Sequence, residues 1–149
     1  NVTVPLTKLG VPGARFTFRN DWNKTSVTDP TTGQDRPISG VRPSQANVGF
    51  EQDIASWKLQ WGVNWLPHLG QGNYSPDQVS KWRGANYFET FVEYKPSPTL
   101  SLRAQLNVWN DFTQTRTVFA DRQSRAVAFT EDSTIDPRTF ASIRVRKTF

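Results

Sequence analysis

Apolar and polar residues alternate one for one through about six segments of the chain, with almost no competing helical period, and this predicts antiparallel β-strands throughout. The clearest segment is 57–66, where Trp57, Leu59, Trp61, Val63 and Trp65 share one face and Lys58, Gln60, Gly62 and Asn64 the other. Segment 99–109 repeats the pattern, with Leu100, Leu102, Ala104, Leu106 and Val108 against Ser101, Arg103, Gln105 and Asn107. Segments 14–22, 46–54, 87–95 and 140–149 follow it more loosely, and 1–6 reads as the tail of an earlier strand. The best segments are about ten residues long, the length of a tilted strand crossing a bilayer, whereas strands of soluble sheets average about five or six.

The links alternate in length. Those at 55–56 and 96–98 are very short, while 23–45, 67–86 and 110–138 are long, polar and rich in Pro, Gly, Asp and Thr, and read as structureless loops. Compact soluble domains seldom carry several such loops; short turns at one end and long loops at the other suit an outer-membrane barrel. Matching like faces sets a register for the short hairpins. Around 55–56 it pairs Ile54 with Trp57, Phe50 with Trp61, Val48 with Val63 and Asp53 with Lys58. Around Ser97 it pairs Tyr94 with Leu100 and Val92 with Leu102, leaving Arg103 diagonal to Glu89 and Glu93.

Periodicity alone leaves open whether the apolar faces meet a core or lipid. Bulky Trp, Phe and Leu along whole strands would overfill a small barrel. Aromatics near the strand ends, at Trp22, Trp57, Trp65, Tyr94 and Trp109, suit a membrane interface. Both features favour apolar faces turned to lipid and a wet interior. No run of about 18 apolar residues is present, which removes a transmembrane helix and leaves a barrel open.

Composition changes this picture little. Among the 149 residues there is no cysteine, which excludes disulfides, thiolate zinc sites and a cysteine nucleophile. With no Met and no signal-like opening segment, the chain starting at Asn1 is expected to be a processed or excised piece. The 18 Lys and Arg behind the net charge of +5 are scattered through strand-like segments, as at Arg144 and Arg146, so nucleic-acid binding is not expected.

The last strand, Phe140-Ala-Ser-Ile-Arg-Val-Arg-Lys-Thr-Phe149, resembles the carboxyl-terminal insertion signal of outer-membrane proteins, with Ile143, Val145 and Phe149 as its apolar members and Lys147 as a departure. Further segments are similar to the distal barrel of TonB-dependent receptors. These are Val4-Pro-Leu, Leu9-Gly, Gly13-Ala-Arg-Phe-Thr-Phe18, Val27-Thr-Asp-Pro-Thr-Thr-Gly33, Arg36-Pro-Ile-Ser-Gly40, Phe91-Val-Glu-Tyr-Lys-Pro96 and Leu106-Asn-Val-Trp-Asn-Asp111. The resemblance implies an all-β chain forming about six or seven antiparallel strands of a larger, 22-stranded transmembrane barrel. Residues 1–149 would then be its carboxyl-terminal portion, with the plug domain elsewhere. It further implies location in the outer membrane of a Gram-negative bacterium and import of a scarce solute such as a ferric siderophore. Expected partners are outer-membrane lipid and lipopolysaccharide, the rest of the barrel and the plug, the barrel assembly machinery and, indirectly, TonB. Phe149 would place the short turns on the periplasmic side and the long loops outside. The alternative is a small independent β-barrel binding module: an adhesin, a pore or a soluble lipid carrier.

No catalytic constellation emerges, so the chain is read as no enzyme, with no cofactor and no metal site. His68 stands alone beside Pro67, no nucleophile elbow occurs, and Gly70-Gln-Gly72 lacks the Lys of a phosphate loop. Glu89 and Glu93 could pair for glycoside chemistry but read better as lumen charges balanced by Arg103. Candidate ligand-binding residues lie in the long loops: Asn73, Tyr74, Trp82 and Arg83 in the second, and Arg116, Arg122 and Arg125 in the third. They suit an anionic ligand such as a metal chelate; the competing reading is that they face solvent or lipopolysaccharide phosphates.

Overall fold

The alternating segments do become strands. A computed structural model describes residues 1–67, 70–84 and 86–148, and its only helical elements are two single turns, Thr7–Leu9 and Ala55–Trp57. The strands are β1 (Val2–Pro5), β2 (Ala14–Trp22), β3 (Val27–Thr28), β4 (Asp35–Arg36), β5 (Ser44–Ile54), β6 (Leu59–Leu66) and β7 (Gln71–Tyr74). They continue as β8 (Gln78–Gly84), β9 (Tyr87–Ser97), β10 (Leu100–Trp109), β11 (Phe112–Phe119), β12 (Val127–Ile135) and β13 (Phe140–Lys147). Seven form one sheet in the order β1-β2-β5-β6-β9-β10-β13, antiparallel at every step. This sheet is not closed into a barrel.

The long links are not structureless. They contain a second sheet, ordered β12-β11-β8-β7, and the small hairpin β3-β4. The second sheet continues the first: β6 leads into β7, β8 into β9, β10 into β11 and β12 into β13, so four strands run through both sheets in the same lateral order. Between Trp109 and Phe112 only Asn110 and Asp111 intervene, and the Asn110 amide donates to the Asn86 carbonyl at 3.1 Å across the joint. Gly84, at φ 87°, turns the chain there. A side chain at that position would lie 2.9 Å from the Asp111 carbonyl oxygen. At about 3.3 Å per residue, β10 and β11 together reach roughly 65 Å, well past a bilayer core of about 30 Å.

Both hairpin registers differ from the expected ones by two residues. Phe50 faces Val63, Val48 faces Trp65, Ile54 faces Leu59 and Asp53 faces Gln60. Trp57 leaves the strand for the turn, and Lys58 ends that turn in the left-handed region at φ 53°, so the hairpin spends four residues, 55–58, where two were expected. In the second hairpin a bulge between Leu100 and Leu102 moves Leu102 opposite Tyr94 and Ala104 opposite Val92. A slip of two conserves the side to which each residue points, so the expected faces survive.

The exposure of those faces on β9 and β10 is the reverse of a soluble sheet's. On β9 and β10 the apolar row Phe88, Val92, Tyr94, Leu102, Ala104 and Leu106 is exposed, while Glu89, Glu93, Arg103 and Gln105 are half-buried and Asn107 is 2 % exposed. Among the described residues only Ala14 and Phe91 are buried apolar side chains. The sheet makes its main contacts along its own ladders. Small residues fit between the crowded groups on its polar face. A Cβ on Gly62 would lie 2.8 Å from both Phe91 Cε1 and the Phe50 carbonyl oxygen, and one on Gly49 would lie 2.5 Å from Thr17 Oγ1. Gly62→Leu is therefore expected to lower stability by about 1–3 kcal/mol through overpacking. An unchanged urea midpoint would count against a crowded polar face.

Candidate functional site

The polar face carries an ordered charge row. Arg103 lies opposite Glu93, 4.0 Å away, and reaches Glu89 at 3.2 Å, the grouping expected from the alternation. Its guanidinium sits 3.7 Å from the Phe91 ring centre and its Nε donates to Gln105 Oε1 at 3.3 Å. Lys95 reaches Glu93 at 3.7 Å, so the two carboxylates face two cations and a ring, an arrangement that balances charge.

Above this row, where the two sheets meet, lies a cavity of about 500 Å³. Its lower wall is the last row of the polar face, Leu66, Tyr87 and Trp109; its upper wall is Gln71, Trp82 and Phe112 from the second sheet. Tyr87 and Trp109 pack with ring centres 4.5 Å apart, and Trp82 and Phe112 at 5.7 Å. Trp109, placed by sequence among interfacial aromatics, belongs to this wall. Arg42, from the link between β4 and β5, and Arg83, from β8, bring the positive charge.

The expected ligand-binding residues divide. Trp82 and Arg83 line the cavity, and Tyr74 lines a neighbouring recess with Lys24, Lys81 and Arg83. Arg36 lies over the Tyr74 ring, 5.2 Å from its centre. Asn73 pairs with Ser80 on the β7-β8 ladder. The three arginines of the third link are turned to carboxylates instead. Arg116 pairs with Glu131 at 3.8 Å and Gln78 at 2.9 Å, Arg122 chelates Asp77, and Arg125 bonds Asp29 at 2.9 Å and covers Phe119 at 4.7 Å. Asp77 raises the Arg122 pKa by hydrogen bonding and by charge.

Asp29 is the centre of these contacts and is 6 % exposed. It accepts from the Thr31 and Thr32 amides at 2.8 and 3.3 Å, and from Arg36 and Arg125 at 2.8 and 2.9 Å. Arg125 holds its place with a left-handed backbone, φ 54°. Together Asp29 and Asp77 clasp the β11-β12 turn to the β3-β4 hairpin and to the β7-β8 turn. Sequence reasoning passed over Asp29, Arg42 and Asp77. The run Asp29-Pro-Thr-Thr-Gly33 signals a tight turn with a side-chain cap and was the available clue to the first.

Of the insertion-signal residues, Ile143 and Val145 project from β13 at 84 % and 65 % exposure; Phe149 lies outside the described residues, as does His68. Among the described residues no group of three His, Cys, Asp or Glu side chains is placed to hold a metal. Among the described residues no helix is long and apolar enough to cross a membrane, which says nothing of a β-barrel. Compared with protein-family models, curated proteins and solved structures, the chain matches none.

Proposed function

We propose that the chain forms part of the wall of a β-barrel in a Gram-negative outer membrane, belonging to a TonB-dependent transporter that imports a scarce solute such as a ferric siderophore. The observation that carries the membrane reading is the inverted exposure of β9 and β10 in the seven-stranded sheet: large apolar residues outward, a hydrogen-bonded charged row inward. Water on the outer face would leave Phe88, Val92, Tyr94, Leu102, Leu106, Ile143 and Val145 exposed at a cost that lipid removes. The two buried apolar residues among those described would not hold a soluble domain of this length. The free edges β1 and β13 call for further strands, as in a larger barrel. TonB dependence and the class of cargo rest on the resemblance of segments such as Gly13-Ala-Arg-Phe-Thr-Phe18 and Leu106-Asn-Val-Trp-Asn-Asp111.

Lipid-attached bromine tests the membrane reading. In vesicles the emission of Trp57, 68 % exposed at the short-turn end, and Trp65, 44 % exposed on the outer row, is expected to be strongly quenched by brominated acyl chains. A protein that folds without detergent and whose tryptophans ignore those quenchers is a soluble binding module. A gene encoding no plug with this barrel would remove the TonB assignment.

A further inference from the structure

We propose that the cavity at the joint of the two sheets binds an organic anion with a planar aromatic body. This narrows the cargo class and rests on the transport reading only in treating that ligand as cargo; the cavity and its charge are independent of it. Its volume of about 500 Å³ lies within the roughly 300–1,000 Å³ of small-molecule sites. Four rings, Trp82, Tyr87, Trp109 and Phe112, supply flat apolar wall, and no Asp or Glu lines it.

The charge is what selects the ligand. Elsewhere in the long links Arg36, Arg116, Arg122 and Arg125 are each neutralised by a carboxylate. The Arg42 guanidinium, by contrast, bonds only the neutral Gln71 Oε1, at 3.3 Å, and the Arg83 side chain has no hydrogen bond or ion pair among the described residues. The adjoining recess, which shares Gln71, Trp82 and Arg83, adds Lys24 and Lys81 and again no acid. Arg42 and, from the β8 face opposite the Trp82 ring, Arg83 flank an acid-free aromatic cavity with two ammonium groups beside it. Together they draw in an anion, and a guanidinium fork fixes a carboxylate, sulfonate or phosphate by paired N–H donors. Guanidinium planes and indole rings also stack on conjugated systems.

Fluorine NMR on the detergent-purified full-length protein that contains this chain, with fluorobenzoate, its neutral analogue fluorobenzamide and fluoroacetate as probes, tests this. Fluorobenzoate is expected to bind, and both fluorobenzamide and fluoroacetate to bind much more weakly. Arg83→Gln and Arg42→Gln are each expected to weaken fluorobenzoate binding about tenfold, the loss of a charged hydrogen bond. Arg83→Lys is expected to keep part of it. Equal binding of benzoate and benzamide, binding unaffected by either Gln variant, or no binding of fluorobenzoate would overturn the proposal. Should Arg83→Gln lose its strand circular dichroism, Arg42→Gln, in a separate link, decides. Benzoate binding with Trp57 and Trp65 unquenched by lipid would sink the membrane reading alone; quenching without benzoate binding would sink only this one.

Discussion

Val92→Arg is expected to cost about 2–4 kcal/mol of stability when the protein is folded into lipid vesicles. Val92 is 46 % exposed, lies halfway along β9 and stands opposite Trp61 on β6 and Ala104 on β10. In water that position is a surface site, where substitutions usually change stability by less than about 0.5 kcal/mol. Arginine there has room and a long stem, so no clash supplies a cost. Only a surrounding hydrocarbon makes the cation expensive, because its hydration is lost and no carboxylate shares that row. Asn64→Arg is the internal control. Asn64 is on the other face, opposite Glu89, where a cation meets an acid and the effect is expected to be small. Urea titrations of both variants in vesicles, followed by tryptophan emission, give the comparison. Near-neutral Val92→Arg would assign the apolar face to water and remove the barrel wall.

Asp29→Asn is expected to release the loop assembly without touching the seven-stranded sheet. The neutral amide leaves Arg36 and Arg125 facing each other with no anion between them, and these are the two charged groups around that site. Backbone amides of 27–36 and 120–126, including Asp29 to Gln34 and Ala120 to Ala126, should then exchange hydrogen at rates approaching those of open loops, while β5, β6 and β9 stay protected. Acid should do the same to the native protein. The Thr31 amide, Arg36, the Thr32 amide and the Arg125 charge hold the Asp29 pKa at about 2, against the ordinary 3.8. Because the folded value is the lower one, the clasp's contribution is complete above about pH 4 and is lost as pH falls through about 2. Exchange in these segments that is indifferent to both the substitution and acid would show that the turns are held by packing alone.

Strand positions and faces were legible because the two sides of the lower sheet differ sharply in chemistry. At Trp57 to Leu66 no other period fits, and β2 has the bounds that its alternation indicates. Registers were not, since a shift of two residues leaves every face match intact and only turn geometry decides between the options. The left-handed Lys58 and the bulge before Leu102 make that decision, and neither position carries the Gly or Asn that would announce it. Strands β8 and β11 escaped notice for the opposite reason. Gln78 to Gly84 and Phe112 to Phe119 mix Thr, Gln, Arg and Ser on both sides, as a sheet wet on both faces allows, so alternation vanishes. The clasp was beyond reach: Asp29 and Arg125 are 96 positions apart, and only the shared strand order of the two sheets brings their turns together. The cavity was half legible, through Trp82 and Arg83, while Arg42, Tyr87 and Trp109 join it from segments read as loop or wall.

That shared order also limits how such a chain can vary. At the outer tips, around Gln123 and Ser124, added residues simply lengthen a turn. At the joint between Trp109 and Phe112 a single inserted residue would rotate everything above it by half a pleat, sending Phe112 and Arg116 to the far side while Arg103 and Asn107 stay where they are. Length changes at the joint are therefore tolerable in pairs, and the odd, three-residue step from Trp109 to Phe112, taken up by Asn110 and Asp111 between the two strands, sets the cavity's roof over its floor.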